Sequence, residues 1–209
     1  MSKTKEKIQL AALQLFNTEG IVNVRLQHIA DEAFISVGNL AYHYPNKEAI
    51  VQALYQMIVK KQEELLAEYR IVPLFDNINY LFLHTYHLQK QYIFFYLDTL
   101  EILRAYPQIG AMHQQHIHSQ MAQLKLMLDF NAARGALIAE PAENTFQSLA
   151  KHLWRTMDFW WSQAAIIGTK DSTSDHFCDE LWQLLMPYFT QMGKQEYTQM
   201  RQMPYQFFF

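Results

Sequence analysis

An all-α fold of about nine helices is what this sequence predicts, and three observations support the prediction. Half of the residues are hydrophobic and 18% are charged, which is sufficient for a buried core. Six glycines and six prolines are fewer than the turns of an all-β fold require. Apolar residues recur at spacings of three and four along most of the chain, which is the periodicity of an amphipathic helix.

The first four helices follow from this periodicity and from their terminal residues. Gly20 is well placed to end the first helix, and Asn23 is the nearest capping residue for the second. The hydroxyl of Ser36 can cap the third helix, and Pro45 ends it and opens the long fourth helix. These four predicted helices span residues 3–19, 24–33, 36–43 and 47–70.

Five further helices occupy the rest of the chain. Pro73 ends the region of the fourth helix, and short stretches that contain proline or glycine separate the segments that follow. The predicted helices span residues 76–90, 92–105, 108–134, 143–167 and 174–200.

Charge is distributed unevenly along the chain. Residues 1–61 hold seven Lys or Arg against five Asp or Glu, whereas residues 62–209 hold ten against fifteen. The N-terminal part is therefore slightly positive, which is compatible with a polyanionic partner but does not by itself establish one.

Residues 25–33 and 36–43 predict a helix-turn-helix, because two short helices joined by about three residues place the second helix where it can enter a DNA major groove. The segment IADEAFISVGNLAYHYPNKEAI at residues 29–50 closely resembles the N-terminal signature of TetR-family transcriptional regulators. The segment ALQLFNTEG at residues 12–20 resembles the end of that family's first helix. The residues that carry the resemblance are Leu15, Phe16, Gly20, Ile29, Ala30, Ser36, Gly38, Leu40, His43, Pro45, Lys47 and Glu48.

The resemblance implies two domains and a function. Residues 1–46 would form a three-helix DNA-binding domain, and residues 47–209 an effector-binding and dimerisation domain, with helix 47–70 linking the two. Members of the family usually repress transcription and release double-stranded DNA when an effector binds. We therefore expect a ligand-released homodimeric repressor that binds a palindromic operator.

Nine residues are expected to contact DNA. Gly38 lets the backbone of the recognition helix approach the groove, Val37 can contact a thymine methyl group, and Asn39 can make paired hydrogen bonds to adenine. Side chains that the resemblance places at backbone contacts, and others at the start of the second helix, can donate protons to phosphate oxygens. The nine residues are Arg25, Gln27, Ser36, Val37, Gly38, Asn39, Tyr42, His43 and Lys47.

Other residues of the motif are expected in the core or depart from the family's pattern. Ile29, Leu40 and Tyr44 recur at helical spacing among polar neighbours, which predicts burial. Phe34 stands where the family usually has glycine in the turn, and Ala41 where tyrosine is common. These two departures favour an alternative function, a helical small-molecule-binding protein that has kept the fold without sequence-specific DNA readout.

The C-terminal helices predict a homodimer. Helices 143–167 and 174–200 each carry two apolar stripes, although one stripe is sufficient for a monomer core. Two helices with a spare apolar face suit an isologous four-helix interface between two copies of the chain. The alternative is that both helices are buried on all sides within one monomer.

A small, largely apolar or aromatic effector is expected between helices 76–134 and the face of Trp154 and Trp161. These helices are rich in aromatic residues that could surround an apolar pocket with a few polar groups. Ordinary core packing explains the same composition. The candidate ligand-binding residues are Tyr86, Phe95, Asp98, His116, Trp154 and Trp161.

Catalytic and metal-binding motifs are not found in the sequence. There is no glycine-rich nucleotide loop, nucleophile elbow or HExxH pattern. His84 with His87, and His113 with His116, have a spacing that metal ligands use, but no cysteine or helical glutamate completes either pair. We therefore predict no enzyme, no cofactor and no metal site.

A reduced, cytoplasmic protein without a membrane span is expected. The single cysteine, Cys178, cannot form an internal disulfide, and residues 1–10 alternate charged with apolar residues, unlike a signal peptide. The most apolar stretch, residues 92–103, carries two acidic residues and is shorter than the roughly 20 residues that a bilayer requires. The tail at residues 204–209 contains three phenylalanines, and we expect it to fold back onto the C-terminal domain or across the partner.

Overall fold

The computed structural model describes residues 3–69, 72–169 and 173–202. Within these ranges the chain forms twelve α-helices and one 3₁₀-helix at Met186–Tyr188, and its only β pairing is an isolated bridge between Leu137 and Phe189. The predicted all-α class is confirmed. The helices are α1 (Lys3–Glu19), α2 (Leu26–Glu32), α3 (Val37–His43), α4 (Lys47–Tyr69), α5 (Phe75–Gln91), α6 (Ile93–Leu97), α7 (Thr99–Ala105), α8 (Pro107–Ala133), α9 (Thr145–Asp158), α10 (Trp160–Ile167), α11 (Ser174–Leu185) and α12 (Gln191–Gln202).

The predicted number of helices was wrong because three of the predicted helices are each interrupted once. The helix predicted over 92–105 is divided at Asp98, where the Thr99 hydroxyl donates a 2.6 Å hydrogen bond to the carbonyl of Phe95. A side chain that bonds this carbonyl competes with the backbone ladder of the helix.

The other two interruptions lie in the C-terminal helices. The helix predicted over 174–200 is interrupted by the 3₁₀-helix, which contains Pro187, a residue without a backbone N–H. The helix predicted over 143–167 is divided at Phe159, where neither glycine nor proline marks a break.

The start of the second helix also differs from the prediction. The helix begins at Leu26 with Arg25 at the N-cap, so Asn23 does not cap it. The side-chain amide of Asn23 instead donates a 2.7 Å hydrogen bond to the carbonyl of Glu19, because a free carbonyl is available at the end of α1.

The chain divides into two compact units, which we call the first unit (residues up to 62 and 88–115) and the second unit (residues 63–87 and from 116 onward). Helices α4, α5 and α8 contribute residues to both units. The predicted boundary after residue 46 concerns functional domains and stays a prediction.

The core of the first unit joins the helix-turn-helix to α6. Phe16 of α1 packs against Phe94 with ring centroids 5.4 Å apart. Beside it, the side-chain amide of Asn17 donates to the carbonyl of Gln91 at 2.9 Å and accepts from the amide of Phe94 at 3.2 Å. Asn17 therefore satisfies backbone groups at the junction between α5 and α6 that the helices themselves leave free.

The core of the second unit is built around Trp182. This indole is fully buried, donates a 2.9 Å hydrogen bond to Asn79 Oδ1, and packs against Phe75 with ring centroids 5.0 Å apart. Arg134 and Glu196 form an ion pair of 2.7 Å at the edge of this cluster. The second unit is therefore held together by α5, α11 and α12 around one aromatic centre.

The spare apolar stripes predicted for dimerisation are largely buried within one chain. Trp161, Trp182, Leu185 and Phe189 are all buried, as is Ala150. Most of the second stripe therefore serves the core of the second unit, whereas Trp154 is half-buried and Ala165 and Met192 are exposed. Large apolar side chains that do stay exposed include Ile166 and Ile167 of α10.

None of the described helices is long and apolar enough to cross a membrane. The expectation for the tail at residues 204–209 lies outside the described residues.

Candidate nucleic-acid interface

The turn between α2 and α3 is a Schellman motif with phenylalanine in the position that favours glycine. The amide of Ile35 bonds the carbonyl of Ala30 at 3.0 Å, and the amide of Phe34 bonds the carbonyl of Asp31 at 3.1 Å. Phe34 has a φ of +56°, in the left-handed region, and its side chain is 93% exposed. Phenylalanine in place of glycine therefore leaves the turn geometry unchanged, and Phe34 adopts a left-handed backbone conformation that is unfavourable for a residue with a Cβ atom.

Helix α3 begins with the predicted cap. The hydroxyl of Ser36 accepts a 3.2 Å hydrogen bond from the amide of Asn39. Leu40 is fully buried and anchors the helix, while Gly38 and Asn39 are exposed. Seven residues make a helix about 10 Å long, which matches a major groove about 12 Å wide.

Gly38 has no role in the packing of the first unit. Apart from the two adjacent residues and the backbone of α3 itself, a Cβ atom at this position would approach no described atom more closely than 4.0 Å, the distance to Ser36 Oγ. A glycine inside an exposed helix lowers stability by roughly 1 kcal/mol relative to alanine. The fold therefore offers no reason for glycine at this position, whereas close approach of another molecule does.

The C-terminal half of α3 presents aromatic side chains. Tyr42 is 85% exposed, and its ring lies edge-on to that of His43 with centroids 5.1 Å apart. Tyr44 is buried and its hydroxyl accepts a 2.9 Å hydrogen bond from Gln9. Burial also raises the pKa of Tyr44. The predicted core positions Ile29, Leu40 and Tyr44 are thus confirmed.

Two candidate phosphate contacts lie at the start of α2. Arg25 is exposed at the N-cap. Gln27 is also exposed, but its side-chain amide donates a 2.7 Å hydrogen bond to Asp31 of the same helix. The arginine is consequently the stronger candidate of the two, because it carries a charge and does not share its site with a carboxylate.

Lys47 faces inward in this structure. Its ammonium donates to the carbonyls of Val24 at 2.7 Å and of Val22 at 3.5 Å, and it lies 5.9 Å from the ring centroid of Phe16. Burial lowers the pKa of Lys47, and the carboxylate of Glu101 opposes this shift. The lysine therefore fixes the start of α4 to the segment between α1 and α2.

The six candidate ligand-binding residues do not come together within one unit. Phe95 and Asp98 belong to the first unit, and the other four to the second. Phe95 packs on Tyr55 with ring centroids 5.1 Å apart, and Tyr86 packs on Trp161 at the same separation.

The remaining candidates differ in burial. His116 is buried, and this burial lowers its pKa. Trp154 is half-buried beside Phe159, with ring centroids 5.9 Å apart.

The histidine pairs do not form a metal centre in the part of the chain that the structure describes, where no group of three or more His, Cys, Asp or Glu side chains could hold an ion. Nδ1 of His113 is hydrogen-bonded to the Tyr55 hydroxyl at 3.2 Å.

The sequence reasoning missed an apolar cavity in the second unit. The cavity lies against the end of α4, the start of α5 and the second half of α8, and its lining includes Leu66, Asn77 and Gln123. Pro73, which marks the break between α4 and α5, also lines it and is the one sequence feature that could have drawn attention to this place.

Comparison with known proteins supports the interpretation of α2 and α3 as the helix-turn-helix of a transcriptional regulator. A family model described as "Bacterial transcriptional repressor" (TetR) matches residues 49–197. A second model, described as "Bacterial regulatory proteins, tetR family", matches residues 8–54. A crystal structure of a TetR-family transcriptional regulator from Marinobacter aquaeolei VT8 has the same fold, with a TM-score of 0.84, 23% identity, and coverage of 96% of this chain and 98% of that one.

Two curated relatives from Escherichia coli (strain K12) match over shorter segments. The HTH-type transcriptional regulator UidR is 34% identical over 67 residues, which is 32% of this chain and 33% of UidR. The HTH-type transcriptional regulator RutR is 39% identical over 59 residues, which is 28% of each chain. The chain thus spans about a third or less of the length of these curated relatives. With a family model that covers most of its length, the chain belongs to the TetR family of DNA-binding transcriptional regulators.

Proposed function

We propose that this chain is a homodimeric repressor that binds a palindromic operator through α3 and leaves it when a small molecule binds. The observation that carries the proposal is the exposed surface of α3. This surface contains Gly38, Asn39 and Tyr42. A Cβ atom on Gly38 would meet open space, so the packing of the fold does not require glycine at this position. A helix that exposes these groups is suited to close contact with a major groove.

We assign base contacts to Val37 and Asn39, at the N-terminal end of the recognition helix. An asparagine amide can bond N6 and N7 of adenine together, and a valine methyl can contact the thymine methyl group. Gly38, between them, allows the backbone to approach.

Contacts to phosphate are assigned to the surrounding residues. The hydroxyl of Ser36, whose oxygen already accepts from Asn39 N, still has a proton to donate. Tyr42, His43 and Arg25 are further donors at the edges of the same surface, and Gln27 could join them if its bond to Asp31 opened. Lys47 would contribute indirectly, because its bond to the carbonyl of Val24 fixes α4 to the helix-turn-helix.

The dimer would place two copies of α3 in successive major grooves, about 34 Å apart on one face of DNA. We assign the interface to α9–α12, as the sequence predicted. The exposed residues Ile166 and Ile167 are apolar side chains in this region that one chain leaves uncovered.

The proposal is tested by selecting binding sites from a pool of random duplexes with the full chain. We expect enrichment of a palindrome, with affinity that falls steeply as salt rises because phosphate contacts release counterions. Asn39→Ala should flatten the preference at one base position in each half-site, whereas Gln114→Ala, an exposed residue of α8 outside the proposed interfaces, should leave it unchanged. Failure to enrich any sequence would refute specific DNA reading.

A second candidate function is a helical small-molecule-binding protein without DNA readout. It is favoured by two observations, since the amide of Gln27 and the ammonium of Lys47 both bond within the protein. The same selection separates the two functions, because this candidate gives no enriched sequence.

A further inference from the structure

The cavity in the second unit is the feature from which a ligand can be inferred. It has a volume of about 210 Å³. Its walls are mainly aliphatic and aromatic, and the apolar residues that form most of them are Leu66, Ile78, Leu81, Leu124, Met127 and Phe130.

None of the ten lining residues is charged. Lys125 and Asp129, which adjoin lining residues along α8, form a 2.7 Å ion pair with each other and are not part of the lining. Bringing an ionised ligand into such a place would remove its hydration without a compensating partner. The cavity therefore favours an uncharged molecule.

Two side-chain amides give the cavity its polar character. The amide nitrogen of Asn77 donates one of its two protons to the carbonyl of Val72 at 2.7 Å. The side-chain oxygen of Gln123 is shielded from solvent and has no hydrogen-bond partner. A buried acceptor without a donor is unfavourable, and the terminal torsion of glutamine is soft enough to turn this oxygen toward a bound group.

The volume limits the size of the occupant. An apolar cavity of about 150 Å³ in another protein holds benzene, so a cavity of this size would hold roughly eight or nine non-hydrogen atoms by proportion.

We propose that this cavity binds a small uncharged molecule with an apolar body and one hydroxyl group, which donates its proton to Gln123 Oε1. The role of this molecule as the effector that releases DNA rests on the proposed function. Its binding to the cavity does not. The largely apolar ligand agrees with the effector expected from the sequence, but the site differs from the expected one, because neither Asp98 nor Trp161 lines this cavity.

The test is calorimetric titration of the full chain, without DNA, with four probes of similar size. The probes are 4-ethylphenol, 4-ethyltoluene, 4-methylbenzoate and 4-methylbenzylammonium. We expect 4-ethylphenol to bind most tightly and 4-ethyltoluene to bind about three- to tenfold more weakly, as the loss of one buried hydrogen bond implies. The two ions should bind more weakly still.

Three variants connect this binding to the cavity. Gln123→Leu should remove the preference for the phenol over the toluene. Leu126→Trp places a large ring at an exposed lining residue and should weaken 4-ethylphenol by about tenfold or more. Leu100→Trp is the matched control, because Leu100 is exposed to a similar degree but does not line the cavity, and it should bind like the parent chain.

Absence of 4-ethylphenol binding at millimolar concentration overturns the proposal, as do equal binding of an ion or unchanged binding by Leu126→Trp. Because the titration contains no DNA, a chain that selects an operator but does not bind the phenol refutes only the ligand. A chain that binds the phenol but selects no operator refutes only the DNA-binding function.

Discussion

Replacing Phe34 with glycine should stabilise the first unit. Phe34 has a φ of +56° and its side chain is 93% exposed, so the substitution removes a strained backbone and almost no packing. A non-glycine residue in the left-handed region costs about 1–2 kcal/mol. The greater freedom of glycine in the unfolded chain cancels about 0.5–1 kcal/mol of this gain.

The net effect is therefore a stabilisation of about 0.5–1 kcal/mol, which corresponds to about 2 °C in melting temperature for a chain of this size. Thermal unfolding followed by circular dichroism measures it. Phe34→Ala is the control, because alanine removes the exposed ring but keeps the Cβ atom that causes the strain.

We expect Phe34→Gly to melt above both the parent chain and Phe34→Ala. If Phe34→Ala gained as much as Phe34→Gly, the gain would come from removing exposed apolar surface and not from relieving a strained left-handed backbone. A lower melting temperature for Phe34→Gly would mean that the ring packs against something, such as a second copy of the chain.

Three further predictions concern stability. Gly193→Ala should lower the unfolding free energy by about 1–3 kcal/mol, because a Cβ atom there would overlap the backbone carbonyl of Ala136. Gly110→Ala is the matched control and should raise the unfolding free energy by about 0.5–1 kcal/mol, because a Cβ atom fits at that position. Urea denaturation measures both variants. Burial raises the pKa of Asp158 to about 7, so the folded state holds this proton more tightly, and stability should fall as pH rises from about 4 through 7. Asp158→Asn should reduce that fall, and an unchanged pH profile of the melting temperature would contradict it. Asn17→Ala should cost about 1–3 kcal/mol by leaving two backbone groups without partners, while Thr18→Ala, on the exposed side of α1, should cost much less in the same denaturation assay.

Much of the fold could be predicted from the sequence because long helices leave a periodic pattern. Helices α5 and α8 were placed to within one residue at each end, and the cap at Ser36 was identified from its residue type. These features depend on neighbours within one or two turns. The break at Phe159 could not be predicted, because no local residue marks it.

The candidate interface was only partly predictable, for a related reason. The exposed positions Gly38 and Asn39 follow from the burial of Leu40 on the same short helix. The inward bond of Lys47 to Val24 depends on how α4 meets a loop more than twenty residues away in the chain. The cavity beside Gln123 likewise depends on how α8 meets α4 and α5, which lie much earlier in the chain, so composition alone could not locate it.

The role of α3 is tested most directly by measuring both the unfolding free energy and the operator affinity of Gly38→Ala. Because a methyl group fits at this position in the free protein, alanine should raise the unfolding free energy by about 0.5–1 kcal/mol. The same methyl group should weaken binding to the selected operator by about tenfold or more, because it occupies the space where α3 approaches the groove. Ala41→Gly, at an exposed position of the same helix, is the control for effects of helix stability alone. A more stable variant that binds the operator less tightly is the predicted result, and a more stable variant with unchanged or higher affinity would contradict the assignment of α3 as the DNA-reading helix.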